Sequence, residues 1–173
     1  MKLKTVFATA LVVSTLASPA MAAKHKTMTK HMSGPAVINV TLWDKDMSKV
    51  DMSKNMGLGL GMNGDMSKAA MGVSLDTKSV KAGKVTFAVV NSSKDTVHEV
   101  IVSSITDVNE TMPYLNNDNR VDEEHGSHLG EVAELEPGNS GALTVTLKPG
   151  KYLLYCNIPQ HYMDGMWTVL EVQ

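Results

Sequence analysis

A second cysteine is missing from this 173-residue chain, and with Cys156 alone no disulfide can close within it. Long apolar runs are missing too. Beyond the first residues nothing approaches the ~18 apolar residues of a membrane-crossing helix, so no stable membrane insertion is expected. No stretch keeps a convincing amphipathic helical period, which argues against a helical bundle. Basic charge is scarce where regular structure is expected: residues 72–173 hold seven Lys and Arg against fourteen Asp and Glu. That balance argues against nucleic-acid binding and suits a basic protein partner.

The chain opens on an export signal. Met1-Lys2-Leu3-Lys4 is basic, Val6 to Leu16 is largely apolar, and Ser18-Pro19-Ala20-Met21-Ala22 ends in Ala-x-Ala. This pattern predicts a signal peptide over 1–22, cleavage after Ala22 and a periplasmic product. Losing Lys2 and Lys4 with the leader takes the net charge from −2 to −4. In an oxidising compartment an unpaired thiol is open to oxidation, so Cys156 reads first as a metal ligand.

Residues 23–71 form a Met-rich N-terminal segment, expected to be partly disordered, with eight Met and three copies of Asp-Met-Ser-Lys starting at Asp46, Asp51 and Asp65. The copies have no fixed period and so are not a structural repeat. Within the segment, residues 36–43 alternate like a first strand. Asp44 to Met71, rich in Gly, reads as a long mobile insertion with little to bury.

From Gly72 onward the pattern is all-β. Strands are expected at Val73 to Leu75, Val85 to Asn91, His98 to Ile105, Glu131 to Leu135 and Ala142 to Leu147, then on both sides of a loop, Lys151 to Cys156 and Met166 to Val172. Glu136-Pro137-Gly138-Asn139 and Lys148-Pro149-Gly150 are turns. Residues 72–173, joined by the early strand, therefore predict a Greek-key β-sandwich of about eight strands. Thr106 to Gly130 is a polar excursion, expected on the sandwich edge with one helical turn.

The chemistry lies between the last two strands. Cys156 is followed by His161 and then Met166 at equal steps of five residues. Thiolate, imidazole and thioether are the soft donors that copper selects. Two imidazoles and a thiolate in a plane, with a long axial thioether, make a site that neither Cu(I) nor Cu(II) fully prefers. The second imidazole is sought among His98, His125 and His128. His98 stands in a strand-like run, whereas the other two lie in a polar loop. Met163 competes with Met166 for the axial place, but its closeness to His161 would demand a tight chelate.

The run Tyr155-Cys156-Asn157-Ile158-Pro159-Gln160-His161-Tyr162-Met163-Asp164-Gly165-Met166 resembles the cupredoxins, the blue copper family of plastocyanin, azurin and rusticyanin. The resemblance implies one copper ion per chain, held by His98, Cys156, His161 and Met166. It also implies an apolar docking face of Ile158, Pro159, Tyr162 and Met163 around His161. After the first ligand His the family often has Asn or Ser tying the ligand loops together; here the residue is Glu99.

Single-electron transport between redox partners such as a c-type cytochrome is the expected function, not enzymatic turnover, because a filled ligand set leaves no open position for a substrate. Asp118, Asp122, Glu123, Glu124, Glu131, Glu134 and Glu136 would steer a basic partner. The alternative is copper sequestration or delivery to a copper-handling protein, with Met28, Met32, Met47, Met52, Met56, Met62, Met66 and Met71 as an auxiliary Cu(I) site. A dinuclear copper centre would need a second Cys, and a multicopper oxidase several His-x-His pairs; the chain has neither.

Overall fold

A computed structural model describes residues 34–51 and 57–173. The expected signal peptide, with Met28, Met32, Met52 and Met56, lies outside the described residues. The strands are β1 (Ala36–Asp44), β2 (Met71–Leu75), β3 (Ser79–Val80), β4 (Gly83–Asn91), β5 (His98–Ile105), β6 (Tyr114–Leu115), β7 (Arg120–Val121), β8 (His128–Leu135), β9 (Ser140–Leu147), β10 (Gly150–Tyr155) and β11 (Trp167–Val172).

One sheet runs β2-β1-β4-β9 and the other β3-β11-β10-β5-β8, with β6 and β7 forming a separate ribbon. The pairs β1–β4 and β3–β11 are parallel and the remaining pairs antiparallel. Alternation decides which side chains face inward. Ile38, Val40, Leu42, Val85, Phe87 and Val89 from the first sheet meet Val100, Val102, Leu154 and Leu170 from the second. Each such burial contributes about 1.5–3 kcal/mol relative to exposure. Among the described residues, no helix is long and apolar enough to cross a membrane.

The second sheet is covered on its outer face as well. Ile101, Leu153 and Tyr155 point away from the main core into a cluster with Leu60, Val121 and Tyr162. The excursion between β5 and β8 supplies part of that cover, through turns and the β6–β7 ribbon rather than the expected helical turn. Two-residue strands such as β3, β6 and β7 are too short to show alternation in sequence.

The stretch after β1 also departs from expectation. Leu58 and Leu60 are 2% and 1% exposed, and Ala69, Ala70 and Met71 are buried. Leu58 N–H donates to the Met163 carbonyl at 2.8 Å, and Trp167 Nε1–H donates to the Leu58 carbonyl at 2.6 Å. Residues 57–71 are thus packed against the loop that joins β10 to β11, not a linker with nothing to bury.

Candidate metal centre

Three elements end at one place. His98 is the first residue of β5, and its side chain points inward with Val100 and Val102. Cys156 follows β10 directly and continues the inward alternation of Tyr152 and Leu154. Met166 immediately precedes β11 and is fully buried in the same core as Cys156. Cys156 N–H donates to the Met166 carbonyl at 3.1 Å, so the last two strands close the loop at its neck.

Inside the loop, His161 N–H donates to the Ile158 carbonyl and Met166 N–H to the His161 carbonyl, both at 3.0 Å. These bonds hold the imidazole back over the core. Gly165, at φ +94°, makes the turn possible; a Cβ there would stand 2.9 Å from Ala69 Cβ. Gln160 N–H donates to the Asn119 carbonyl at 2.8 Å and pins the loop to the excursion.

His98 Nδ1 and His161 Nδ1 lie 3.3 Å apart, and His161 Nδ1 is 3.3 Å from Cys156 Sγ. Ligand atoms of the three residues all fall within 4.8 Å of one another. Burial pushes both imidazoles down to about 4, so each is neutral near pH 7. Burial pushes the Cys156 thiol up to about 12. A soft cation reverses that preference by binding the thiolate. Two neutral imidazoles converging on a buried thiol, with a buried thioether at the loop's end, fit a copper ion on donor chemistry.

The structure therefore brings together His98, Cys156 and His161, with Met166 at the same end of the core. Met163 sits elsewhere: it packs with the outer cluster of Tyr155 and Tyr162. His125 and His128 also lie outside the centre, His125 bonding Asp122 at 2.8 Å and His128 standing 4.0 Å from Glu131.

Glu99 faces away from His98, as alternation requires, on the side of Ile101. Its Oε1 accepts the Asn157 N–H at 3.1 Å. A carboxylate thus ties the strand bearing His98 to the residue after Cys156. Burial, then the charges of Glu131 and Glu123, push this carboxyl up to about 7.

Sequence reasoning missed Asp44. Its carboxylate lies 4.0 Å from His98 Nε2, a buried nitrogen with no hydrogen-bond partner, and accepts from the Thr96 hydroxyl. At 4.0 Å the carboxylate makes no hydrogen bond to the ring and acts on it through charge, favouring the imidazolium against the larger opposing effect of burial. Asp44 ends β1 in the first sheet and His98 opens β5 in the second, so only the packing of one sheet on the other reveals the contact. The expected docking face also changes. Pro159 is exposed and Ile158 and Met163 are partly so, but Tyr162 is 2% exposed and its hydroxyl accepts the Leu60 N–H at 2.8 Å. Tyr162 belongs to the interior.

Among solved structures, rusticyanin from Thiobacillus ferrooxidans is 14% identical with a TM-score of 0.51, covering 82% of this chain and 79% of that one. The chain has the cupredoxin fold. Auracyanin from Roseiflexus castenholzii is 20% identical with a TM-score of 0.47, covering 82% of this chain and 98% of its own. Auracyanin A from Chloroflexus aurantiacus, described as a "blue" copper protein, is 19% identical with a TM-score of 0.48, covering 81% and 100%. No family model and no curated protein sequence matches the chain. His98 comes from the second sheet, and Cys156, His161 and Met166 from the loop that joins β10 to β11.

Proposed function

We propose that this chain is a periplasmic type 1 copper protein that carries single electrons between redox partners, with no enzymatic turnover of its own. The observation that carries the reading is the convergence of His98, Cys156 and His161 donor atoms within 4.8 Å in a buried pocket. His98, Cys156, His161 and Met166 would hold the ion. When bound, copper supplies a Cu(II)/Cu(I) couple.

The protein's part is to keep the donors still. His98 is set by a central strand, Cys156 and Met166 by the paired ends of β10 and β11, and His161 by the loop's own bonds. A pocket fixed from several sides limits rearrangement between oxidation states. His98 is fully buried while His161 is partly exposed, so electrons enter and leave by the His161 edge. Pro159 and Ile158, next to that edge on the same loop, offer apolar surface, and a basic partner such as a c-type cytochrome would meet the acidic excursion beside it.

The test is reversible voltammetry of the copper-loaded mature chain, followed by stopped-flow mixing with a reduced c-type cytochrome. A reversible one-electron wave with retained copper, and cytochrome oxidation that slows as salt rises, support the carrier reading. Loss of copper on reduction, or no electron exchange, overturns it.

Copper sequestration or delivery remains the second reading, favoured by the exposure of Met62 and Met66, at 36% and 40%. Deleting the Met-rich segment would remove β1 from the middle of its sheet. Met→Leu replacements at Met62 and Met66 separate the readings instead: loss of extra Cu(I) equivalents favours handling, and unchanged stoichiometry favours the carrier.

A further inference from the structure

A second group of ligating side chains lies on the opposite side of the second sheet from the centre described above. Glu123, His128 and Glu131 each offer a donor atom, all within 4.8 Å of one another. His128 and Glu131 are on β8, and Glu123 comes from the turn after β7. The β5–β8 ladder sets His128 opposite Ser103 and Glu131 opposite Ile101. Paired residues share a face, so these side chains stand with Glu99, Ile101 and Ser103 away from the main core.

Behind the group are buried polar atoms without partners. Ser103 is 0% exposed, its Oγ makes no hydrogen bond, and it is the ladder partner of His128. Tyr155 Oη is likewise buried and without a full hydrogen bond; burial raises its pKa, the neighbouring Ser103 hydroxyl lowers it, and the charges of Glu123 and Glu99 raise it further. Unpaired buried hydroxyls are costly unless a ligand or water reaches them.

We propose that Glu123, His128 and Glu131 form a second metal site, for a divalent first-row cation such as Zn(II). One imidazole and two carboxylates, with no sulfur, select a borderline divalent ion over Cu(I). Water completes the shell on the exposed side, and the hydroxyls of Ser103 and Tyr155 lie on the buried side. The site also touches the electron-transfer loop, because Asn157 Nδ2 donates to Glu123 Oε1 at 2.8 Å while Asn157 N–H donates to Glu99.

Co(II) titration of the full mature chain tests this, since thiolate-bound Co(II) has a charge-transfer band in the near ultraviolet and carboxylate- or imidazole-bound Co(II) does not. The site predicts one equivalent that brings the thiolate band and a second, displaceable by Zn(II), that does not. In Glu131→Gln and His128→Gln the silent equivalent is lost while the thiolate band stays. If the thiolate band is absent but the silent equivalent persists and responds to these substitutions, the second site stands although the first reading has failed. If the chain binds no silent equivalent, or both variants bind it as wild type does, the proposal is wrong.

Discussion

Replacing Tyr162 by Phe tests whether residues 57–64 are structural. The Tyr162 hydroxyl accepts the Leu60 N–H at 2.8 Å, with the two residues 2% and 1% exposed. Phe keeps the ring, which packs so closely that a Cβ on Gly59 would come within 2.8 Å of it, so little volume is lost. What is lost is the acceptor of a buried amide. Leaving such a donor unsatisfied costs about 1–3 kcal/mol. With a urea dependence of about 2 kcal/mol per M, a loss near 2 kcal/mol lowers the unfolding midpoint by about 1 M. Urea denaturation of the metal-free protein, followed by tryptophan fluorescence, measures this. Hydrogen exchange at the Leu60 amide, expected to quicken, assigns the loss to the right place. A midpoint within ~0.2 M of wild type, with Leu60 exchange unchanged, would refute the packing of this segment.

The remaining predictions concern the centre and its surroundings. Met166→Leu should keep the copper colour and raise the reduction potential, since a weak axial donor to Cu(II) is removed; Met163→Leu should change neither, and the reverse result reassigns the axial ligand. Asp44→Asn removes a negative charge 4.0 Å from His98 Nε2 and should raise the potential in voltammetry. An unchanged potential would mean that Asp44 does not act on the centre. Glu99 gives a pH signature in the metal-free protein. Its carboxyl is raised from 4.5 to about 7 on folding, so the fold prefers the protonated form. Stability is then highest below about pH 4.5, falls as pH rises toward 7 and levels off above it, by about 3 kcal/mol in all. Glu99→Gln keeps an acceptor for Asn157 and should abolish that share of the slope; identical pH profiles for the two proteins would contradict the assignment.

Most of the sandwich was legible because its long strands alternate. Ile38, Val40 and Leu42, or Val85, Phe87 and Val89, announce their inward face without help from the rest of the chain. The convergence of His98, Cys156 and His161 was legible for a different reason: Cys156 and His161 are close in sequence, and His98 opens a β-branched run. What sequence could not show were contacts made by isolated residues. Leu58 and Leu60 sit among glycines and set up no period, so their burial depends on a Trp167 and a Tyr162 more than a hundred residues away. Tyr162 looked like surface because its loop neighbours are. Alternation correctly turned Glu99 away from His98, but its bond to Asn157 exists only because β5 lies beside β10. Asp44 needed the packing of one sheet on the other to be placed at all.

The central claim is that Cys156 and two histidines hold one copper ion, and the visible spectrum of the Cu(II)-loaded mature chain tests it most directly. Thiolate-to-Cu(II) charge transfer should give an intense blue or green colour that saturates at one equivalent and vanishes in Cys156→Ser. A colourless Cu(II) complex, or colour that survives the loss of Cys156, would contradict the account.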